Sequence, residues 1–322
     1  MIRIFHTGAA TCRIVEVIDD GFQLPPDVVW LDLIAPTRDE ELVLENRLGL
    51  SLPTREEMVE LEASSRLYRE NGATYATADL IHNGDAEIPA IDPVTFVLTP
   101  GPLVTIRYFN PRPFVMVDEK FEREPGLCSG PAEIFLQLME ASIDRTSDVL
   151  ATNAGRVETI ATHVFTGAHG SSASYEKLIS KLGRAHIANT RIEQSLSGLA
   201  RIFAFVSLDD RIERAADPRE HLKSLNRDAA SLLAHAQAVA QSINFQLSAA
   251  LGLINIQQSS IIKIVSVASV AFLPPTLVAS IYGMNFRYMP ELAQIWGYPF
   301  ALVLMLLAGV GPLLWFRKKG WL

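Results

Sequence analysis

Cysteine is nearly missing from this chain. Its 322 residues include two, Cys12 and Cys128, far apart, so neither a disulfide framework nor a thiolate metal site is expected. The seven histidines are scattered, with His163 and His169 the nearest pair, and give no metal-ligand spacing. There is no phosphate-binding Gly-rich loop ending in Lys. No nucleophile, base or cofactor constellation emerges, so the chain reads as no enzyme and as needing no organic cofactor. A basic excess is lacking too. Lys and Arg number 28 against 36 Asp and Glu, a net charge of −8, which argues against nucleic acid as a partner. The start, Met1-Ile-Arg-Ile-Phe5, has no basic segment, apolar block and cleavage site of a secretory signal.

Charge is absent from two long stretches near the C-terminus, 264–281 and 299–316. Each is about 18 residues, close to the shortest helix that spans a bilayer core, and a short link, 282–298, separates them. Small polar residues and Pro274-Pro275 are the only interruptions of the first. The mean hydropathy of +0.20 is high for a purely soluble protein. A membrane hairpin is expected, and insertion is expected to rely on it. Lys263 precedes the first run, and Arg317, Lys318 and Lys319 close the second. By the positive-inside rule both termini face the cytoplasm and the loop faces out. Trp296, Tyr298, Trp315 and Trp321 fall near the expected interfaces.

The first run carries a second pattern. Small or polar residues recur at spacings of three and four: Ser248, Gly252, Asn255, Ser259, then Ser266, Ser269, Thr276, Ser280 and Gly283, with Ile262 and Leu273 in the same series. A seven-residue repeat places them on one stripe of a supercoiling helix. In lipid such a stripe faces other helices or water. From periodicity alone it is either a packing seam between helices or the wall of a path enclosed by several copies.

The rest of the chain reads as mixed strand and helix, then helix. Strands are expected at 2–6, 13–18, 28–33, 74–80, 95–98 and 103–108. Thr37 with Glu40 and Thr54 with Glu57 make two capping boxes, opening one helix that stops at Gly49 and another over 56–64. An α/β layered domain follows. Helices are expected over 131–168 and 174–208, with a break at 167–172. Asp217-Pro218 marks a further boundary, and a helix then runs over 219–282. At 1.5 Å per residue its length is roughly 95 Å, so it needs partners along its length.

The residues Ile281-Tyr-Gly-Met-Asn-Phe286, then Met289-Pro-Glu-Leu292, Gly297-Tyr-Pro299 and the final Lys-Gly-Trp-Leu322, resemble the CorA family of magnesium channels. Gly252-Leu-Ile-Asn-Ile256, Ile261-Ile-Lys-Ile264 and the segment Phe272-Leu-Pro-Pro-Thr-Leu-Val-Ala-Ser280 resemble its enterobacterial-type members. Trp30-Leu-Asp-Leu33 and Leu52-Pro-Thr-Arg-Glu-Glu57 resemble the family's cytoplasmic domain more loosely. The resemblance implies an α+β membrane protein of the bacterial inner membrane: a cytoplasmic α/β/α domain, a long stalk helix continuing into the first of two C-terminal transmembrane helices, and a homopentameric funnel. The divisions it implies are 1–217 for the cytoplasmic domain, 218–260 for the stalk, 261–282 and 299–316 for the spans, 283–298 for the outer loop and 317–322 for a basic tail.

The resemblance also assigns roles. Tyr282, Gly283, Met284 and Asn285 form the selectivity filter, and Ser259, Ile262, Ser269, Leu273 and Thr276 line the pore. Read without the family, Asn285 is a helix C-cap. Mg²⁺ takes oxygen ligands and gives up water reluctantly, so a filter of neutral carbonyls suits the hydrated ion. Leu273 and Ile262 make apolar collars. Mg²⁺ is the implied substrate, with Co²⁺ and Ni²⁺, and also a cytoplasmic regulator. Candidate regulatory ligands near the stalk are Asp209, Asp210, Glu213, Asp217 and Asp228, each of which also reads as a solvated helix-face charge. Ser259 departs from the family, which commonly has Asn there. Arg287 departs as well, since an acidic residue usually follows the motif; at the outer mouth Glu291 is expected to pair with it. No charged residue inside either span relays protons. Membrane potential suffices to drive uptake, since two charges crossing about 100 mV release roughly 4.6 kcal/mol. The rivals are a zinc transporter of the related ZntB type, against which Met284 argues, and a membrane-tethered sensor or scaffold.

Overall fold

The computed structural model describes residues 1–8, 13–15, 21–60, 62–127, 129–166, 172–209, 211, 216–287 and 289–320. They form two compact units, Met1–Leu247 and Ser248–Leu322.

The first unit is built on a seven-stranded sheet. Its strands are β1 (Ile2–His6), β2 (Arg13–Val15), β3 (Val28–Ile34), β4 (Leu67–Glu70), β5 (Ala73–His82), β6 (Ala90–Leu98) and β7 (Leu103–Arg107), in the order β2-β1-β3-β7-β6-β5-β4. The β3–β7 pair is parallel and all others are antiparallel. Alternation along the strands sorts two faces. On one, Ile2, Ile4, Leu31, Leu33, Val104 and Ile106 pack with Leu44 of α1 (Arg38–Leu48) and Met58 of α2 (Arg55–Val59). Both helices start at the expected capping boxes, Thr37 with Glu40 and Thr54 with Glu57. Gly49 closes α1 in the left-handed conformation, at φ 68°.

The other face is aromatic and then helical. Phe5 stacks on Trp30 at 4.2 Å, and Phe121 of α4 (Arg112–Arg123) meets Trp30 edge-on. Phe135 of α5 (Pro131–Thr166) meets Phe96 edge-on. Beside Trp30, Asp32 is fully buried, and it is satisfied rather than bare. Arg107 donates to both its oxygens, and Thr105, its partner across the parallel pair, donates to Oδ1. A buried carboxylate needs this complement of donors. Helix α6 (Ser172–Val206) lies close on β5: a Cβ on Gly198 would come 3.3 Å from that of Ala78.

Several elements differ from the sequence expectation. α4 was not expected, although Phe114, Val117 and Phe121 recur at helical spacing after Pro111 and Pro113. β4 is four residues of mixed polarity at the sheet edge and carries no alternation strong enough to read. The helix expected over 56–64 is split: α2 stops at Val59, Glu60 is extended, and α3 (Ala63–Arg66) follows. β6 begins at Ala90, five residues early, because Pro93 sits within it opposite Asp79. The second half of the strand expected at 13–18 and the break at 167–171 lie outside the described residues.

Helix α7 (Ala216–Tyr282) is 67 residues long and holds Pro274 and Pro275. Its lower part buries Leu222, Leu225, Ala229, Ala236, Val239 and Ile243, at spacings of three, four and seven. The second unit consists of the upper part of α7, a 3₁₀ turn at Pro290–Ala293 and α8 (Gly297–Lys318). Both α7 and α8 contain stretches long and apolar enough to cross a membrane. They meet closely at Gly309, where a Cβ would stand 3.2 Å from Pro275 Cγ and 3.3 Å from the Ala271 carbonyl oxygen. That carbonyl is one of the two whose helical donors the prolines remove.

Candidate functional site

The site grows from the end of α7. The helix is closed by its own backbone: the Gly283 N–H donates to the Ala279 carbonyl at 2.9 Å, and the Met284 N–H to that of Ile281 at 3.2 Å. Glycine eases this closure, since a Cβ at 283 would stand 3.1 Å from the Ala279 oxygen, a tight contact. Asn285 follows, exposed. Its amide makes no hydrogen bond among the described residues, so it does not perform the C-cap role that the sequence alone allows. Tyr282 is half-buried and Met284 exposed. Carbonyls at a helix C-terminus carry partial negative charge and favour a cation there.

The rest of the upper α7 has two faces. Val267 is buried, and Ala271, Pro274, Pro275 and Val278 are partly buried; this is the side that meets Gly309. Ser259, Ile262, Ser266, Ser269, Leu273, Thr276 and Ser280 are all exposed, Ile262 at 66% and Leu273 at 67%. With 3.6 residues per turn, the two sets centre about 155° apart around the helix. These seven residues of the stripe therefore face away from α8. At two levels its hydroxyls are oriented: Ser269 Oγ donates to the Val265 carbonyl at 2.9 Å and Thr276 Oγ1 to that of Phe272 at 2.7 Å. Both oxygens keep lone pairs.

The outer loop corrects one expectation. Arg287 and Glu291 are both exposed and form no ion pair with each other among the described residues. In water such a pair gains less than about 1 kcal/mol and must immobilise two flexible side chains.

Among the described residues, the acidic candidates near the stalk do not converge. Among the described residues no three His, Cys, Asp or Glu gather as a metal site. Asp209 is only 3% exposed. Its Oδ1 accepts from Arg211 Nε at 2.8 Å, and its Oδ2 accepts from Arg211 Nη2 at 2.9 Å and Thr74 Oγ1 at 2.6 Å. Burial raises its pKa, but these hydrogen bonds outweigh burial and hold it below the usual aspartate value. Its oxygens are thus taken, and it does not fit a metal ligand. Asp210 and Glu213 lie outside the described residues, Asp217 lies on α7, and Asp228 is exposed on α7. Sequence reasoning passed over Asp144 of α5. Burial raises its pKa, and Glu140, Asp148 and Asp228 raise it further. The spacing 140, 144, 148 on one helix face was the available signal.

Comparison with known proteins adds the family. The model of the CorA-like Mg²⁺ transporter protein matches residues 26–318. The magnesium transport protein CorA of Pectobacterium atrosepticum is 34% identical over 312 residues, 97% of either chain. That of Salmonella typhimurium is 34% identical over 296 residues, 92% of either chain. In fold, the chain is similar to the complete CorA magnesium transporter of Methanocaldococcus jannaschii, with a TM-score of 0.77 at 17% identity over 100% of this chain and 99% of that one. The full-length CmaX protein follows, with a TM-score of 0.72 at 15% identity over 98% and 96%. With a family model over most of its length and curated relatives matched nearly end to end, the chain belongs to the CorA-like Mg²⁺ transporter family.

Proposed function

We propose that five copies of this chain form a channel for hydrated Mg²⁺ in the bacterial inner membrane, with both termini in the cytoplasm. The α7 helices line the path, and α8 backs each of them on the lipid side. Tyr282, Gly283, Met284 and Asn285 form the filter at the outer mouth. Ser259, Ile262, Ser269, Leu273 and Thr276 line the route below. The division into cytoplasmic domain, stalk, spans, loop and tail at 217, 260, 282, 298 and 316 belongs to the same reading.

One observation carries it. The polar stripe of α7 turns away from α8 and ends at an asparagine whose amide makes no hydrogen bond among the described residues. A seam that only packed the hairpin would face α8. A ring of amide and main-chain oxygens binds the outer face of a hydrated divalent ion without stripping its water. Membrane potential drives uptake, and Co²⁺ and Ni²⁺ follow the same route. Cytoplasmic Mg²⁺ closes the channel through carboxylates at protomer interfaces. Asp217 and Asp228 remain candidates for this, whereas Asp209 serves as an ion-pair anchor for Arg211.

The test is divalent uptake into proteoliposomes at fixed inside-negative potential. Wild type should take up Mg²⁺ in proportion to voltage and ignore a pH gradient. Asn285→Ala should cut Mg²⁺ selectivity or flux at least about tenfold, the scale of one lost oriented polar contact. Zn²⁺ uptake that requires the pH gradient would favour a proton-coupled zinc transporter instead. No flux of either ion would favour a tethered sensor.

A further inference from the structure

Three amide side chains lie buried where α5, α6 and the lower part of α7 pack together. They are Asn153, Asn189 and Gln246, each at most 2% exposed. Each donates to a main-chain carbonyl of a different helix. Asn153 Nδ2 on α5 donates to the Ala185 carbonyl on α6 at 3.1 Å. Asn189 Nδ2 on α6 donates to the Ala236 carbonyl on α7 at 2.9 Å. Gln246 Nε2 on α7 donates to the Val157 carbonyl on α5 at 3.2 Å. The three bonds close a cycle, α5 to α6 to α7 and back.

The amide orientations are fixed by chemistry, because only the nitrogen can face a carbonyl oxygen. That leaves Asn153 Oδ1, Asn189 Oδ1 and Gln246 Oε1 buried with no hydrogen-bond partner among the described residues. Each such oxygen has given up its water without a replacement, a penalty that a leucine or methionine of similar volume avoids. The apolar seam cannot replace what the amides specify. Leu225, Leu232 and Val239 recur every seven residues in series with Gln246, the one amide of that series, so a slip of one heptad would carry the amide to an apolar place of the seam. The amide-to-carbonyl bonds guard against finer slips. Sliding a helix by one residue moves it about 1.5 Å and turns it about 100°, out of reach of the amide. A single buried polar group is known to set helix register in this way.

We infer that Asn153, Asn189 and Gln246 form a register lock. It fixes the axial position and rotation of α7 against α5 and α6, so the three helices move as one body and α7 does not slide along the other two. The functional half of this inference rests on α7 being the conducting helix; the structural half does not.

The test uses full-length protein with Cys12 and Cys128 replaced by serine. Nitroxide labels go on the exposed positions Thr190 of α6 and His235 of α7. Sparsely labelled protomers are mixed with unlabelled ones, and the intraprotomer distance is measured by double electron–electron resonance. The background protein should give one narrow distance. Asn189→Leu with Gln246→Met should give a broadened or second distance, while melting remains cooperative with an unchanged or higher midpoint. If the pair does not fold, Gln246→Met alone answers the same question. A single unchanged distance in the folded variant overturns the lock, whatever its melting temperature. In proteoliposomes the variant's uptake should depend less steeply on Mg²⁺ inside. A broadened distance in a protein that conducts no ion keeps the lock and removes the channel reading.

Discussion

Asn285 and Asp209 show two opposite fates for a polar side chain. The first is exposed and makes no hydrogen bond among the described residues; the second is buried with both oxygens bonded. Asp209 should therefore behave as a stability residue. Asp209→Asn leaves Arg211 short of its carboxylate and should lower unfolding free energy by about 1–2 kcal/mol at neutral pH. The pH dependence has a definite sign. The folded pKa lies below the ordinary 3.8, so the contribution is fully present above that value and is lost as pH falls through the lower folded value. Melting curves of wild type and variant should converge in acid and separate toward neutrality. Reading the position from sequence as a solvated acid failed because Thr74, which donates to it, and Leu98, whose carbonyl accepts from Arg211, lie on strands more than a hundred residues away.

At the scale of elements, the seam between α7 and α8 is set by absent side-chain volume. Gly309→Val brings a branched side chain against Pro275 and the Ala271 carbonyl, and should cost about 1–3 kcal/mol of helix association. The check is a lower melting temperature of the detergent-purified protein, with Gly311→Val as the comparison, since a Cβ at Gly311 meets nothing within 4 Å. Much at this scale was legible in the sequence. Both capping boxes, the Gly49 stop and the long uncharged helices follow from local chemistry and length. The α4 helix was equally legible from Phe114, Val117 and Phe121 but was overlooked. β4 was not, because four residues at a sheet edge are held by β5 rather than by their own pattern. Which face of α7 meets α8 was also closed to sequence reasoning: small residues occur on both sides, and only Gly309 against Pro275 decides between them. The amides at 153, 189 and 246 were invisible for a similar reason, since their partners are carbonyls and carbonyls have no letter in the sequence.

The whole molecule, on the five-copy reading, shares one filter among all protomers. Mixing Asn285→Ala and wild-type subunits in equal amounts should then leave only about 3% of assemblies fully wild type. If one defective subunit spoils a filter, Mg²⁺-selective uptake should fall far below half. Uptake that tracks the wild-type fraction linearly would mean that each chain conducts alone. Chemical cross-linking of purified protein should stop at a pentameric band.

On the channel reading, the hydroxyls of Ser269 and Thr276 give the path a polarity of hydrogen. Their protons are committed to the helix carbonyls of Val265 and Phe272, so toward a passing ion they offer lone pairs and no proton. A hydrated cation turns its water hydrogens outward and finds acceptors at both levels. A hydrated anion turns oxygen outward and finds nothing there to donate to it. Sorting by sign of charge thus requires no charged side chain along this stretch of α7.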